Sequence, residues 1–163
     1  MLNVIEEDGK LYALHSSFKE VKNNNTSEWY GREFEPLQGS RMHYSNGKTF
    51  RTHRHKLNPR TIHHTQEAFV VIEGKISIDI VLPLDEADPE GSVIVYDEHK
   101  KPYYLLGTLI AEAGDVIFVY DGFHRLSVLA DDSVFYEIKS GQFSTVQDDK
   151  IFIDIDMSNR DNF

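Results

Sequence analysis

The imidazoles of His53, His55 and His124 and the carboxyl of Glu67 are the side chains whose types and spacing could do chemistry. Histidines separated by one residue point to the same face when they lie on a strand, so His53 and His55 could approach one centre together. Glu67 and His124 would then come in from other strands. Three imidazole nitrogens and one carboxylate oxygen, with a position left for water or substrate, suit a first-row divalent metal. Zn, Mn, Fe and Ni all satisfy that shell, and residue types do not choose among them.

Groups so far apart in the chain need a framework of strands, and the hydropathy pattern supplies one. Lys75 to Val81 alternates with period two, placing Ile76, Ile78 and Ile80 on a core face. Glu67 to Ile72 is a denser apolar run, joined to it through Gly74 as a hairpin. Further strands are expected at Ser92 to Tyr96, Tyr103 to Ala111, Val116 to Tyr120, His124 to Leu129 and Val134 to Lys139. Asp121-Gly122 and Asp131-Asp132 provide turn chemistry between the later ones. This rhythm speaks for an all-β sandwich or barrel. If it holds, Arg51, Phe69, Val71, Leu126 and Val128 face the same interior as the four ligands and wrap a polar centre in apolar walls.

Composition narrows the classes of function. The 163 residues are 40% hydrophobic and carry no cysteine, which fits one domain with a buried core and excludes disulfides. A formal net charge of −10 would repel a phosphate backbone, so nucleic acid is not the expected partner. No apolar run is long enough to span a bilayer, and the N-terminus lacks a basic, apolar leader, so a cytoplasmic protein is expected. The chain divides into an N-terminal arm or edge strands at 1–37, a barrel at 38–145 and a C-terminal tail at 146–163. The arm suggests a homodimer. Pro83 to Gly91 reads as an acidic, solvated loop without chemistry.

The pattern Gly47-x5-His53-x-His55-x11-Glu67-x6-Gly74 resembles the first motif of the cupin superfamily, and Gly114-Asp115-x8-His124 resembles the second. Two departures stand out. The gap between His55 and Glu67 is longer than usual, and Asp121-Gly122-Phe123 replaces the usual proline before the histidine. His53 to Arg60, Thr65-Gln66-Glu67 and Glu137 to Phe143 resemble small WbuC-like cupins associated with bacterial surface-polysaccharide biosynthesis. That resemblance implies a double-stranded β-helix, or jelly-roll barrel, with a metal at its mouth.

Several residues are expected to complete the site. Glu137 and Lys139 alternate on one strand face, so an inward Glu137 is a candidate general acid or base beside Lys139. Arg51 and Arg60 could clamp a phosphate or carboxylate of a nucleotide sugar through forked hydrogen bonds. His63 and His64 lie in the insertion, where they would line the rim or replace a ligand; His15, His43 and His99 are read as having no part in the site. Three functions follow: a metal-dependent enzyme isomerising, epimerising or hydrolysing a small polar molecule such as a sugar or sugar nucleotide; an Fe(II) dioxygenase; and a metal-containing binding protein without turnover.

Overall fold

A computed structural model describes residues 2–17, 26–31, 35–55, 61–86, 93–141 and 150–157. The described residues form no helix. Twelve strands run in chain order: β1 (Leu2–Glu7), β2 (Lys10–Ser16), β3 (Thr26–Tyr30), β4 (Gly39–His43), β5 (Glu67–Glu73), β6 (Lys75–Pro83), β7 (Val93–Asp97), β8 (Pro102–Glu112), β9 (Val116–Val119), β10 (Phe123–Val128), β11 (Val134–Lys139) and β12 (Ile155–Asp156). They make two five-stranded antiparallel sheets, β1-β2-β9-β5-β11 and β10-β6-β8-β7-β12, with β3-β4 as a separate pair. The sheets curl into a half-barrel compatible with a jelly roll.

Alternation in the sequence becomes two faces of each sheet. On β6, Ile76, Ile78, Ile80 and Leu82 are wholly buried and meet Phe69, Val71, Leu109, Ala111, Ile117 and Val119 in the space between the sheets. Burying each such aliphatic side chain contributes roughly 1.5–3 kcal/mol, so this layer dominates the stability of the fold. The outer faces are covered too. Tyr30 and Leu37 pack over Leu14, Ala68, Phe118 and Tyr120 on the first sheet. Ile153, Ile155 and Met157 pack over Val81, Val95 and Tyr103 on the second.

Described parts of the expected arm and of the expected tail therefore pair into the sheets. β2 lies between β1 and β9, with Leu11, Tyr12, Ala13 and Leu14 buried, and β12 pairs with β7. Within the expected acidic loop, Glu86 N–H closes a turn onto the Pro83 carbonyl at 3.1 Å; residues 87–92 lie outside the described set.

The shared interior face expected of residues 51, 53 and 55 does not form. Residues 51–55 are exposed and outside any strand, which overturns the inference that Arg51, His53 and His55 project together from a strand into the interior. The physical reason is visible in Arg51-Thr52-His53-Arg54-His55, which offers no apolar alternate to bury and so gains nothing from joining a sheet. Val128 is likewise 56% exposed, although Leu126 packs against the core as expected.

Candidate functional site

Glu67 opens β5 on the inner face, in register with Val119 of β9 and Lys139 of β11. His124 lies on β10 of the other sheet, opposite Ile80. The curl of the half-barrel closes the gap between them. His124 Nε2 is 2.9 Å from Glu67 Oε2, and Lys139 Nζ is 3.1 Å from Glu67 Oε1. Three strands thus converge on one carboxylate, whose side chain is only 5% exposed. Phe69, two residues along β5, presents its ring to His124 edge-on at 6.5 Å between centroids.

The turn between β9 and β10 sets the position of His124. Tyr120 N–H donates to the Tyr12 carbonyl at 2.7 Å, and Gly122 takes a φ of +86° that lets the chain reverse. A Cβ on Gly122 would stand 3.3 Å from Ile80 and Leu82 side-chain carbons, so the turn is both left-handed and closely packed. His124 Nδ1 then lies 3.4 Å from the Gly122 carbonyl, and both ring nitrogens face oxygens.

Electrostatics fix the state of the carboxylate. Burial alone would raise the Glu67 carboxyl, but His124 and Lys139 oppose it through hydrogen bonds and charge, and the net effect lowers it from 4.5 to about 2. Glu67 is therefore an anion throughout the physiological range; it can orient and compensate charge but does not donate a proton. Lys150 Nζ approaches the same carboxylate oxygen at 4.0 Å, and Glu137 Oε1 lies 3.8 Å from Lys139 Nζ. At the turn before β10, Lys10 Nζ is 2.7 Å from Asp121 Oδ2. Burial raises the Asp121 carboxyl, yet Lys10, the Gly122 N–H and the charge of His64 outweigh it and lower it.

The expected residues thus separate into groups. Glu67, His124, Lys139 and Glu137 come together, and exposed His64 bears electrostatically on Asp121. His53 and His55 stack edge to face, 5.4 Å between ring centroids, on the exposed 51–55 segment with Arg51, whose carbonyl lies 2.9 Å from His53 Nδ1. Arg60 lies outside the described residues.

Among the described residues, no three His, Asp or Glu side chains are placed to share a metal ion. Of the four expected ligands only Glu67 and His124 meet, and the Lys139 ammonium already contacts the second Glu67 carboxylate oxygen. As arranged, the four expected ligands do not fit a metal shell.

Two networks carried no sequence signal. Lys150 reaches Glu67 from the expected tail, a contact that no local pattern announces. His15 is buried on β2, with Nε2 3.1 Å from Asp115 Oδ2 and Nδ1 3.1 Å from Asn3 Nδ2. Asn3 can only donate there, so His15 Nδ1 accepts and Nε2–H donates to Asp115. The triad ties β1 and β2 to the turn before β9, a structural role. No family model matches the chain, and neither a curated protein nor a solved structure matches it significantly.

Proposed function

We propose that this protein is a cupin-like, double-stranded β-helix enzyme that moves a proton on a small polar molecule, with a sugar or nucleotide sugar as the expected substrate class. The single observation that carries this reading is the meeting of Glu67, His124 and Lys139 from three strands of both sheets. Glu67 holds one edge of the imidazole and remains charged. His124, whose side chain keeps 29% of its surface in solvent, is the acid–base group. Lys139 stands beside it as a fixed cation able to face the oxygen on which negative charge grows when a proton leaves the neighbouring carbon. Glu137, on the same face and partly exposed, is a second candidate acid or base on the rim. Together these groups suit isomerisation or epimerisation next to a carbonyl. The carbohydrate assignment rests on the WbuC-like motifs alone.

Metal dependence is a second reading, favoured by one observation: Glu67 and His124, two of the four motif residues, do converge. His53 and His55 would join them only if the 51–55 segment folded over the mouth. A divalent ion so held would supply Lewis-acid polarisation; Fe(II) would suit the dioxygenase alternative, and a protein that binds without turnover remains the third.

The test is solvent exchange. Sugars and nucleotide sugars incubated with the protein in D2O are read by NMR for deuterium next to the carbonyl, with and without chelator, alongside metal analysis of protein purified without chelator. Incorporation by the wild type and its loss in His124→Gln support the proton-transfer reading. Incorporation that vanishes on chelation, with metal lost from His55→Ala, moves the reading to the metal form. No exchange across the panel refutes both.

A further inference from the structure

We infer that Asn46-Gly47 is a self-modifying site, at which the backbone nitrogen of Gly47 attacks the Asn46 side-chain amide and converts that residue to isoaspartate and aspartate. Gly47 opens the first motif of the sequence, and of the ten glycines it is the only one that follows an asparagine. Both residues are exposed in a turn after β4, which Lys48 N–H closes by donating to the Ser45 carbonyl at 3.2 Å. That bond takes the Lys48 N–H and not the Gly47 N–H. Gly47 has a φ of +88°, and a Cβ built on it would meet nothing within 4 Å among the described residues. The attacking nitrogen therefore carries no side chain of its own residue in its way, and nothing described packs over the turn to stop it swivelling into place.

The step needs water and no other reagent. The Gly47 nitrogen gives its proton to solvent base and bonds to Asn46 Cγ, closing a five-membered imide, and Asn46 Nδ2 leaves as ammonia. Water then opens the ring: at Cγ it restores the ordinary backbone as aspartate, and at the main-chain carbonyl it gives isoaspartate. Comparable pairs elsewhere are guarded. Asp121 Oδ1 accepts the Gly122 N–H at 2.7 Å and Oδ2 meets Lys10 Nζ at 2.7 Å, so there the electrophile is a charged carboxylate and the nucleophile's proton is engaged. Asn3, the other asparagine among the described residues, precedes β-branched Val4 inside β1 and gives its amide to His15 at 3.1 Å. The product would act on its neighbours. Lys48 Nζ lies 5.5 Å from the centre of the Tyr44 ring and 5.4 Å from that of Phe50, and the two rings meet edge-on at 5.0 Å. A new carboxylate two residues before Lys48 competes for that ammonium, and isoaspartate lengthens the main chain of the turn by one carbon, which takes the Lys48–Ser45 bond out of register.

The experiment ages the folded full chain for several weeks in mildly acid and in mildly alkaline buffer, beside Asn46→Gln. Peptide mapping by mass spectrometry follows residue 46, enzymatic carboxyl methylation counts isoaspartate, and released ammonia is measured. The expected result is conversion of residue 46 to the acid, ammonia released mole for mole with it, isoaspartate in excess of aspartate, and a rate at least tenfold higher in the alkaline buffer, where more of the attacking nitrogen has lost its proton. Asn46→Gln, which would have to close a six-membered ring, should stay unmodified; far-UV circular dichroism verifies that it is folded. An amide that survives at residue 46, an Asn46→Gln chain that releases ammonia as fast as the wild type, or aspartate formed without isoaspartate would each overturn the inference. This goes beyond the proposed reaction, and none of these outcomes involves a sugar or the Glu67 cluster, so the two can fail separately.

Discussion

The sharpest prediction concerns Glu67→Gln and the pH dependence of stability. Glu67 has its carboxyl lowered from 4.5 to about 2 because His124 and Lys139 outweigh the cost of burial. A group lowered on folding contributes stability that is fully present above its unfolded value and is lost as pH falls through its folded value. Each unit of difference corresponds to about 1.36 kcal/mol, which sets an upper figure of roughly 3 kcal/mol for this one side chain. Both partners keep some contact with water, His124 more than Lys139, and solvent screening brings the expectation to about 2 kcal/mol. Urea unfolding of wild type and Glu67→Gln at intervals from pH 7 to pH 2 reads this directly. The variant should be less stable by about 2 kcal/mol from pH 7 to about pH 5, and the gap should close toward pH 2 as the wild-type carboxylate takes up its proton. A gap that stays constant with pH would refute the reasoning, because it would mean that shape at this position matters and charge does not.

Four further perturbations test the framework around the site. Ile78→Ala empties a fully buried position between the sheets and should cost about 2–5 kcal/mol by denaturant unfolding. Gly39→Ala would drive a Cβ into the Phe118 ring, so a loss of about 1–3 kcal/mol and a lowered thermal midpoint are expected. Arg125→Met removes the cation 3.3 Å from the wholly buried Asp79 carboxylate, which also accepts from Thr108 Oγ1 at 2.6 Å; a loss of about 2–3 kcal/mol at neutral pH is expected. Tyr120→Phe should run the other way: its hydroxyl is buried without a hydrogen-bond partner among the described residues, so removing it should leave stability unchanged or raise it by up to about 1 kcal/mol.

Strands could be read from the sequence wherever one face is buried, because burial writes period two into the chain. The runs of β5, β6, β8 and β11 coincide with the expected segments to within a residue or two, and Gly74 sits at the expected hairpin with a φ of +79°. The same logic explains the failure at 51–55. There the expected shared face rests on the spacing of two histidines, with no apolar partner residues to hold the segment against the core, and spacing by itself does not fold a segment. The convergence of Glu67 with Lys139 was half legible: the alternation of Glu137 and Lys139 shows that they share a face, but their register with β5 depends on pairing across the sheet. Lys150 was not legible, since a lysine brought in from a distant segment leaves no periodic trace.

The arrangement of these charges also explains why the site lies at the end of the half-barrel and not within it. One turn deeper, the inner face is Phe69, Ile78, Leu109 and Ile117, where an unpaired carboxylate would cost several kcal/mol. Glu67 begins β5, and Lys139 ends β11, so both stand where the apolar rows stop and ammonium groups can enter from solvent. His124 reaches the same level because Gly122 turns the chain two residues earlier. A buried anion, a cation at its side and a solvent-reaching imidazole can coexist only at that boundary.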